Sequence, residues 1–112
     1  MKIILKKSDA QEPFTFSFVN NDGTTLVRSE NYAAKKSAVN GIASVKKNCI
    51  DDSRYELKES KNGKFFFNIK ASNGQIVATS TLFATQAIRD AAISQMKSEA
   101  PEAIETEAEV EA

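Results

Sequence analysis

Lys35 and Lys46 are eleven residues apart, as are Lys36 and Lys47. Eleven residues is about three turns of an α-helix, so each pair points in nearly one direction. The two directions differ by roughly 100°. A helix here therefore carries a four-lysine surface, which is either an electrostatic footprint for an anion or a solvated face whose stems cover the core edge. Arg89 falls on the inner stripe of a second helical pattern. A guanidinium there is costly unless it reaches water or meets an acid, so it either snorkels at an open edge or marks an asymmetric pocket. Phe66 lies between Phe65 and Phe67 and projects from the opposite side of their strand, beside Asn68 and Lys70. An aromatic ring so placed can stack on a base or on a partner's side chain.

Catalytic chemistry is poorly supplied. The chain has no histidine, the usual general base and commonest metal ligand. Cys49 is the single cysteine. With no imidazole to activate it, it is expected to pack rather than react. It cannot form an intrachain disulfide, which fits a reducing compartment. Asp51 and Asp52 are adjacent but lack further spaced ligands, so they read as a solvated linker rather than a cation site. The four glycines are scattered, and no phosphate-cradling loop appears. The expectation is a protein that is not an enzyme and has no metal or cofactor.

The length, 112 residues, fits one domain or two small units fused. Six glutamates lie beyond position 98; the rest of the chain sets 15 basic residues against the other 9 of its 15 acidic ones, a net of +6. A mildly basic body with an acidic tail permits an acidic or nucleic-acid partner without requiring one. The start, Met1-Lys2-Ile3-Ile4-Leu5-Lys6-Lys7, has only a short apolar run, where a signal peptide needs roughly 7–15 apolar residues. No run approaches the ~18 of a membrane helix. A cytoplasmic location with no membrane partner is expected.

The elements that must position these side chains follow from periodicity. Phe14, Phe16 and Phe18 alternate as a strand with one buried face. Asn21-Asp22-Gly23 is a hairpin turn, and Thr24 to Ser29 returns. Ala34, Ala38, Gly41, Ile42 and Val45 place a helix near residues 33–48. The sequence then runs the programme again: a strand from Lys64 to Lys70, a turn at Asn73-Gly74, and a returning strand from Gln75 to Ser80. A helix over 85–97 follows, capped by Thr85. At an offset of 51, Phe14 matches Phe65, Phe16 matches Phe67, Gly23 matches Gly74, Ser29 matches Ser80, Tyr32 matches Phe83, and Ile42 matches Ile93. Ahead of the first phenylalanine the offset is 52, because the Asp9–Pro13 turn is one residue longer; Leu5 then matches Leu57.

The expected fold is α+β: two tandem βββα repeats with antiparallel sheets, one helix per repeat and pseudo-two-fold symmetry. The first repeat covers residues 1–50 and the second 51–98. Residues 99–112 form an acidic tail whose charge and low apolar content predict disorder. One such unit alone is marginal in water, and two can bury their apolar faces together.

Tyr32 and Phe83 each ahead of a helix, the Asn40-Gly41-Ile42-Ala43-Ser44-Val45-Lys46 run, and the Asn-Gly hairpin together resemble the YegP-like proteins, small bacterial proteins with one or two such units. The likeness covers about residues 2–98. The second copy departs from it at Ala91-Ala92-Ile93-Ser94-Gln95-Met96. The resemblance implies the pseudo-symmetric α+β fold and no activity. The function expected is a small protein-interaction module acting as a monomer. The alternative is weak nucleic-acid binding through the lysine-bearing helix or the exposed sheet face. That face, read as Thr15, Ser17, Val19, Phe66, Asn68 and Lys70, offers few groups for it.

Overall fold

In a computed structural model, which describes residues 1–9 and 11–109, the alternating runs become strands and the 3.6-period runs become helices. In chain order these are β1 (Lys2–Lys7), β2 (Phe14–Val19), β3 (Thr25–Arg28), α1 (Lys35–Asn48), β4 (Tyr55–Glu59), β5 (Phe65–Lys70), β6 (Ile76–Ser80), α2 (Gln86–Glu99) and β7 (Ile104–Glu109). Short 3₁₀ turns, Asp52–Arg54 and Ala100–Glu102, precede β4 and follow α2.

The hairpin turns close by the same bonds in both halves. The Asn20 amide donates to the Thr24 carbonyl, and the Ala71 amide to that of Gln75. The carboxylate of Asp22 accepts from the Thr24 amide, and the Asn73 side-chain oxygen from the Gln75 amide. Gly23 and Gly74 supply φ of +90° and +85°, where an L side chain is strained. Where each returning strand ends, a serine replaces the ladder. Ser29 Oγ accepts from the Phe16 amide at 2.9 Å, and Ser80 Oγ does the same for Phe67 at 2.9 Å. Thr85 caps α2 by accepting from the Ile88 amide at 3.1 Å, whereas Ala34 at the start of α1 caps nothing.

The strands form one seven-stranded sheet in the order β4-β5-β6-β3-β2-β1-β7. This corrects the expectation of separate antiparallel sheets. β3 pairs antiparallel with β6 through Val27–Ser80 and Arg28–Thr79, so the halves meet edge to edge. Joining the edges satisfies backbone donors and acceptors that each three-stranded piece would leave bare. Val27, Phe18, Ile3, Phe16 and Leu5 share one face by register, as do Ala78, Ile69 and Phe67. Both helices pack on that face, adding Ala38, Ile42, Val45, Ala92 and Met96 to a single continuous core.

The tail is the second correction. Residues 99–103 finish α2 and turn, with Ala100 and Ala103 buried. β7 then pairs parallel with β1, Lys2 opposite Ile104 and Lys7 opposite Glu109. Charge composition argues for disorder, but an uncovered edge offers a full row of backbone hydrogen bonds, and two small apolar residues anchor the approach. The expected disorder of residues 110–112 lies outside the described residues, as does Ala10 of the expected Asp9–Pro13 turn.

Candidate functional site

The helix lysines remain a surface feature. Lys35, Lys36 and Lys47 are exposed and Lys46 is half-buried along α1. Lys47 borders an open hollow of about 440 Å³ shared with Asn48, Arg54 and Ala71. Arg89 meets an acid: its Nε donates to Asp90 Oδ1 at 3.1 Å, and the guanidinium lies 5.7 Å over the Phe65 ring. It is only 8% exposed, so its charge is held by a neighbouring carboxylate and an aromatic face. Phe66 is half-buried, opposite Lys58 of β4. These six residues do not converge: the lysines ride one helix, Arg89 the other, and Phe66 the far face of the sheet.

Cys49 is fully buried, with Met96 and Lys46 carbonyls near its sulfur. Burial pushes the thiol from its ordinary 9.0 up to about 11. The Tyr55 hydroxyl, donating to the Cys49 carbonyl at 2.7 Å, is also pushed well upward by burial. An unfolded chain loses the thiol proton near 9 while the folded one keeps it to about 11, so the native state holds more protons across that window. Stability is therefore expected to be insensitive to this thiol below pH 9 and to fall from there to about pH 11. A series of urea melts reads this, and Cys49→Ala should flatten the decline that remains after tyrosine ionisation is accounted for. Asp51 and Asp52 have structural partners. Asp51 accepts from the Ser53 amide and hydroxyl, which lower its pKa, and Asp52 pairs with Lys97.

Two surfaces carry the site geometry, one absent from the sequence reading and one, the exposed sheet face, named in it. One is the edge at β4, the end of the sheet opposite β7. Beside it lies an open hollow of about 380 Å³ lined by Tyr55, Leu57 and Ile93 and rimmed by Asp52, Asp90 and Lys97. Leu57 is 53% exposed there, while Leu5, beside which β7 runs, is 6% exposed.

The other is the sheet face turned away from the helices. A single row of paired positions crosses it: Thr106, Ile4, Ser17, Arg28, Thr79, Asn68 and Glu56. On the β4 side the row is closed by its own bonds. Thr79 donates to Asn68 at 2.8 Å, Asn68 to Glu56 at 2.9 Å, and Lys70 to Glu56 at 2.9 Å. Those bonds hold the Glu56 carboxyl below its usual range, the Lys70 contact first. On the β2 side, among the described residues, no carboxylate closes the row, and Arg28 is exposed in its middle. Arg28 was the missed residue. The offset of 51 that aligns the copies sets Arg28 against Thr79, a difference of charge that the sequence itself shows.

The family described as "Domain of unknown function (DUF1508)" matches the chain twice, over residues 9–56 and 60–104. A UPF0339 protein from the 5′ region of the ptx operon of Stutzerimonas stutzeri is 45% identical over 96 residues, 86% of each chain. UPF0339 protein YegP of Escherichia coli strain K12 is 45% identical over 92 residues, 82% of each chain. Among solved structures, the solution NMR structure of a UPF0339 protein of Shewanella oneidensis superposes with a TM-score of 0.89 at 32% identity, covering 96% of this chain and 91% of that one. The NMR structure of E. coli yegP, a protein of unknown function, gives 0.84 at 35% identity over 97% and 95%.

Proposed function

This chain belongs to the DUF1508 family, whose description assigns no function, and from that premise we propose a non-enzymatic protein-interaction module whose docking edge is β4. The observation that carries the reading is the contrast between two leucines, 52 residues apart and on corresponding strands. Leu5 has a strand on either side, β2 and β7, and is 6% exposed; Leu57 has β5 on one side and, among the described residues, no strand on the other, and is 53% exposed. The occupant is an extended segment of a partner protein that adds to β4 as β7 adds to β1. Main-chain hydrogen bonds supply affinity in such docking, and pockets for alternate side chains supply selectivity. The hollow beside Leu57 is placed to take an apolar side chain of that segment, with Asp90 and Lys97 at its rim. The absence of histidine and the raised, buried Cys49 thiol support a role without catalysis.

The same reading takes the chain as two tandem βββα repeats about a pseudo-two-fold. Arg28 and Thr79, corresponding positions at an offset of 51, face each other across the β3–β6 pair, as a two-fold there requires. The matched turn bonds and serine bonds support it as well. A chain whose halves already pair internally is read as a monomer, and the compartment as the cytoplasm.

The test uses the intact protein against a display library of random ten-residue peptides. Selected peptides are expected to carry alternating apolar residues and to slow amide exchange over residues 55–59. Leu57→Asp, a change at an exposed position, should weaken them at least tenfold. Failure to select any peptide, or peptides protecting another segment and indifferent to Leu57→Asp, removes the reading.

A further inference from the structure

We propose that the sheet face opposite the helices binds single-stranded nucleic acid, with one backbone phosphate seated against Arg28. The seat is an open hollow of about 360 Å³ whose lining is Lys6, Ser8, Thr15, Ser17, Arg28 and Asn31. Among the described residues two cations, three hydroxyls and an amide line it, and no carboxylate does. That set is chemistry for an anion: a guanidinium makes paired bonds to phosphate oxygens, and hydroxyls complete the shell. Among the described residues Arg28 forms no ion pair or side-chain hydrogen bond, while Arg54 and Arg89 each reach a carboxylate. A guanidinium at mid-sheet with its donors unspent is an available contact rather than a structural one.

What makes the ligand a strand rather than a lone phosphate is the charge that continues beyond the hollow. Alternation puts Lys2 and Lys6 of β1 on this face, since Ile3 and Leu5 are buried on the other. Lys58 and Lys70 share the face, beside Glu56 and Phe66. Five cations therefore spread across it, and its carboxylate within the strands, Glu56, is already held by Lys70 and Asn68. Glu30, just past β3, borders a neighbouring hollow of about 310 Å³ on the other side of Arg28, which sets the strand's path toward Lys6 rather than over Glu30. A basic surface with an aromatic ring at its margin is the pattern by which single strands are held without sequence reading, and half-buried Phe66 supplies the ring. The corresponding place on the other half cannot do this. There Thr79 stands for Arg28 and Asn68 for Ser17, and both are tied into the bonds to Glu56.

The test is fluorescence anisotropy with a labelled 20-nucleotide oligothymidine, at low salt and through a salt series, using the full chain. Binding is expected, with Arg28→Ala weakening it about tenfold and Lys6→Ala less. Each variant should also lower the slope of log affinity against log salt by about 0.7, the contribution of one phosphate contact on a single strand. Paired Lys36→Ala and Lys47→Ala on α1, and Leu57→Asp on β4, should leave affinity unchanged. The last control separates this proposal from peptide docking, so either can fail alone. No binding at low salt overturns the inference. So does affinity indifferent to Arg28→Ala, loss through the α1 lysines instead, or a duplex of equal length that binds as tightly.

Discussion

Phe16→Ala and Phe67→Ala should each cost about 3–5 kcal/mol of stability and leave a single unfolding transition. Both rings are fully buried, and both lie in one core that runs across the β3–β6 junction. Phe16 stacks on Tyr32 with ring centres 6.2 Å apart and meets Phe18 edge-on at 6.0 Å. Phe67 stacks on Phe83 at 6.3 Å and meets Tyr55 at 5.4 Å. Truncation removes the apolar transfer term and leaves a cavity that a cross-strand sheet cannot close easily. Small domains hold about 5–15 kcal/mol in total, so the melting temperature should fall by some tens of degrees, at roughly 4–8 °C per kcal/mol. The more telling part is cooperativity. Because the core is continuous, the half that keeps its phenylalanine should not outlast the other. Calorimetry and circular dichroism would detect this, and two resolved transitions in either variant would show that the halves fold separately.

The features legible in the sequence are those written in local periodicity. The Phe14-Phe16-Phe18 alternation, the Asp22-Gly23 and Asn73-Gly74 turns and the Thr85 cap each depend on residues a few positions apart, and the structure has them there. What was not legible depends on partners far along the chain. Whether two three-stranded pieces stack or join edge to edge leaves the same alternation in every strand, so β3 meeting β6 carries no local mark. β7 was hidden for a different reason. A composition argument weighs the charges of the tail against its few apolar residues, yet the edge of β1 rewards backbone pairing whatever the side chains. The candidate surfaces inherit both difficulties. Leu57 aligns with buried Leu5 and reads as core, but among the described residues the β7 strand that lies beside Leu5 has no counterpart at the β4 edge. Arg28 becomes conspicuous only when its row of neighbours across the face is known, because its charge is set off by what Asn68, Thr79 and Glu56 do on the other side.

Gly41→Ala should destabilise the protein by about 1 kcal/mol net, although alanine in a helix interior ordinarily gains about 1 kcal/mol over glycine. A Cβ at Gly41 would sit 2.6 Å from the Tyr32 hydroxyl oxygen and 2.9 Å from Cε2 of Phe16. Overpacking of this kind costs about 1–3 kcal/mol, sometimes more, and Phe16 is fixed on every side by the core. The remedy is visible 51 residues on. There the pair is Phe83 and Ala92: the ring has lost its hydroxyl and the helix has gained its methyl. The stack is the same in both places, Phe16 on Tyr32 at an interplanar angle of 10° and Phe67 on Phe83 at 7°. Tyr32→Phe should therefore restore most of what Gly41→Ala removes, with a coupling of about 1 kcal/mol or more in a double-mutant cycle. In the second half the converse should hold: Phe83→Tyr should destabilise, and adding Ala92→Gly should relieve it. Denaturant melts of the four combinations at each site measure this. A stabilised Gly41→Ala, or a cycle with no coupling to Tyr32→Phe, would show that the glycine answers to something other than the ring opposite. If the cycle behaves as expected, the Asn40-Gly41-Ile42 run and its departure at Ala91-Ala92-Ile93 have one cause. The helix position facing the tyrosine has no room for a methyl, and the one matching it opposite the phenylalanine carries one.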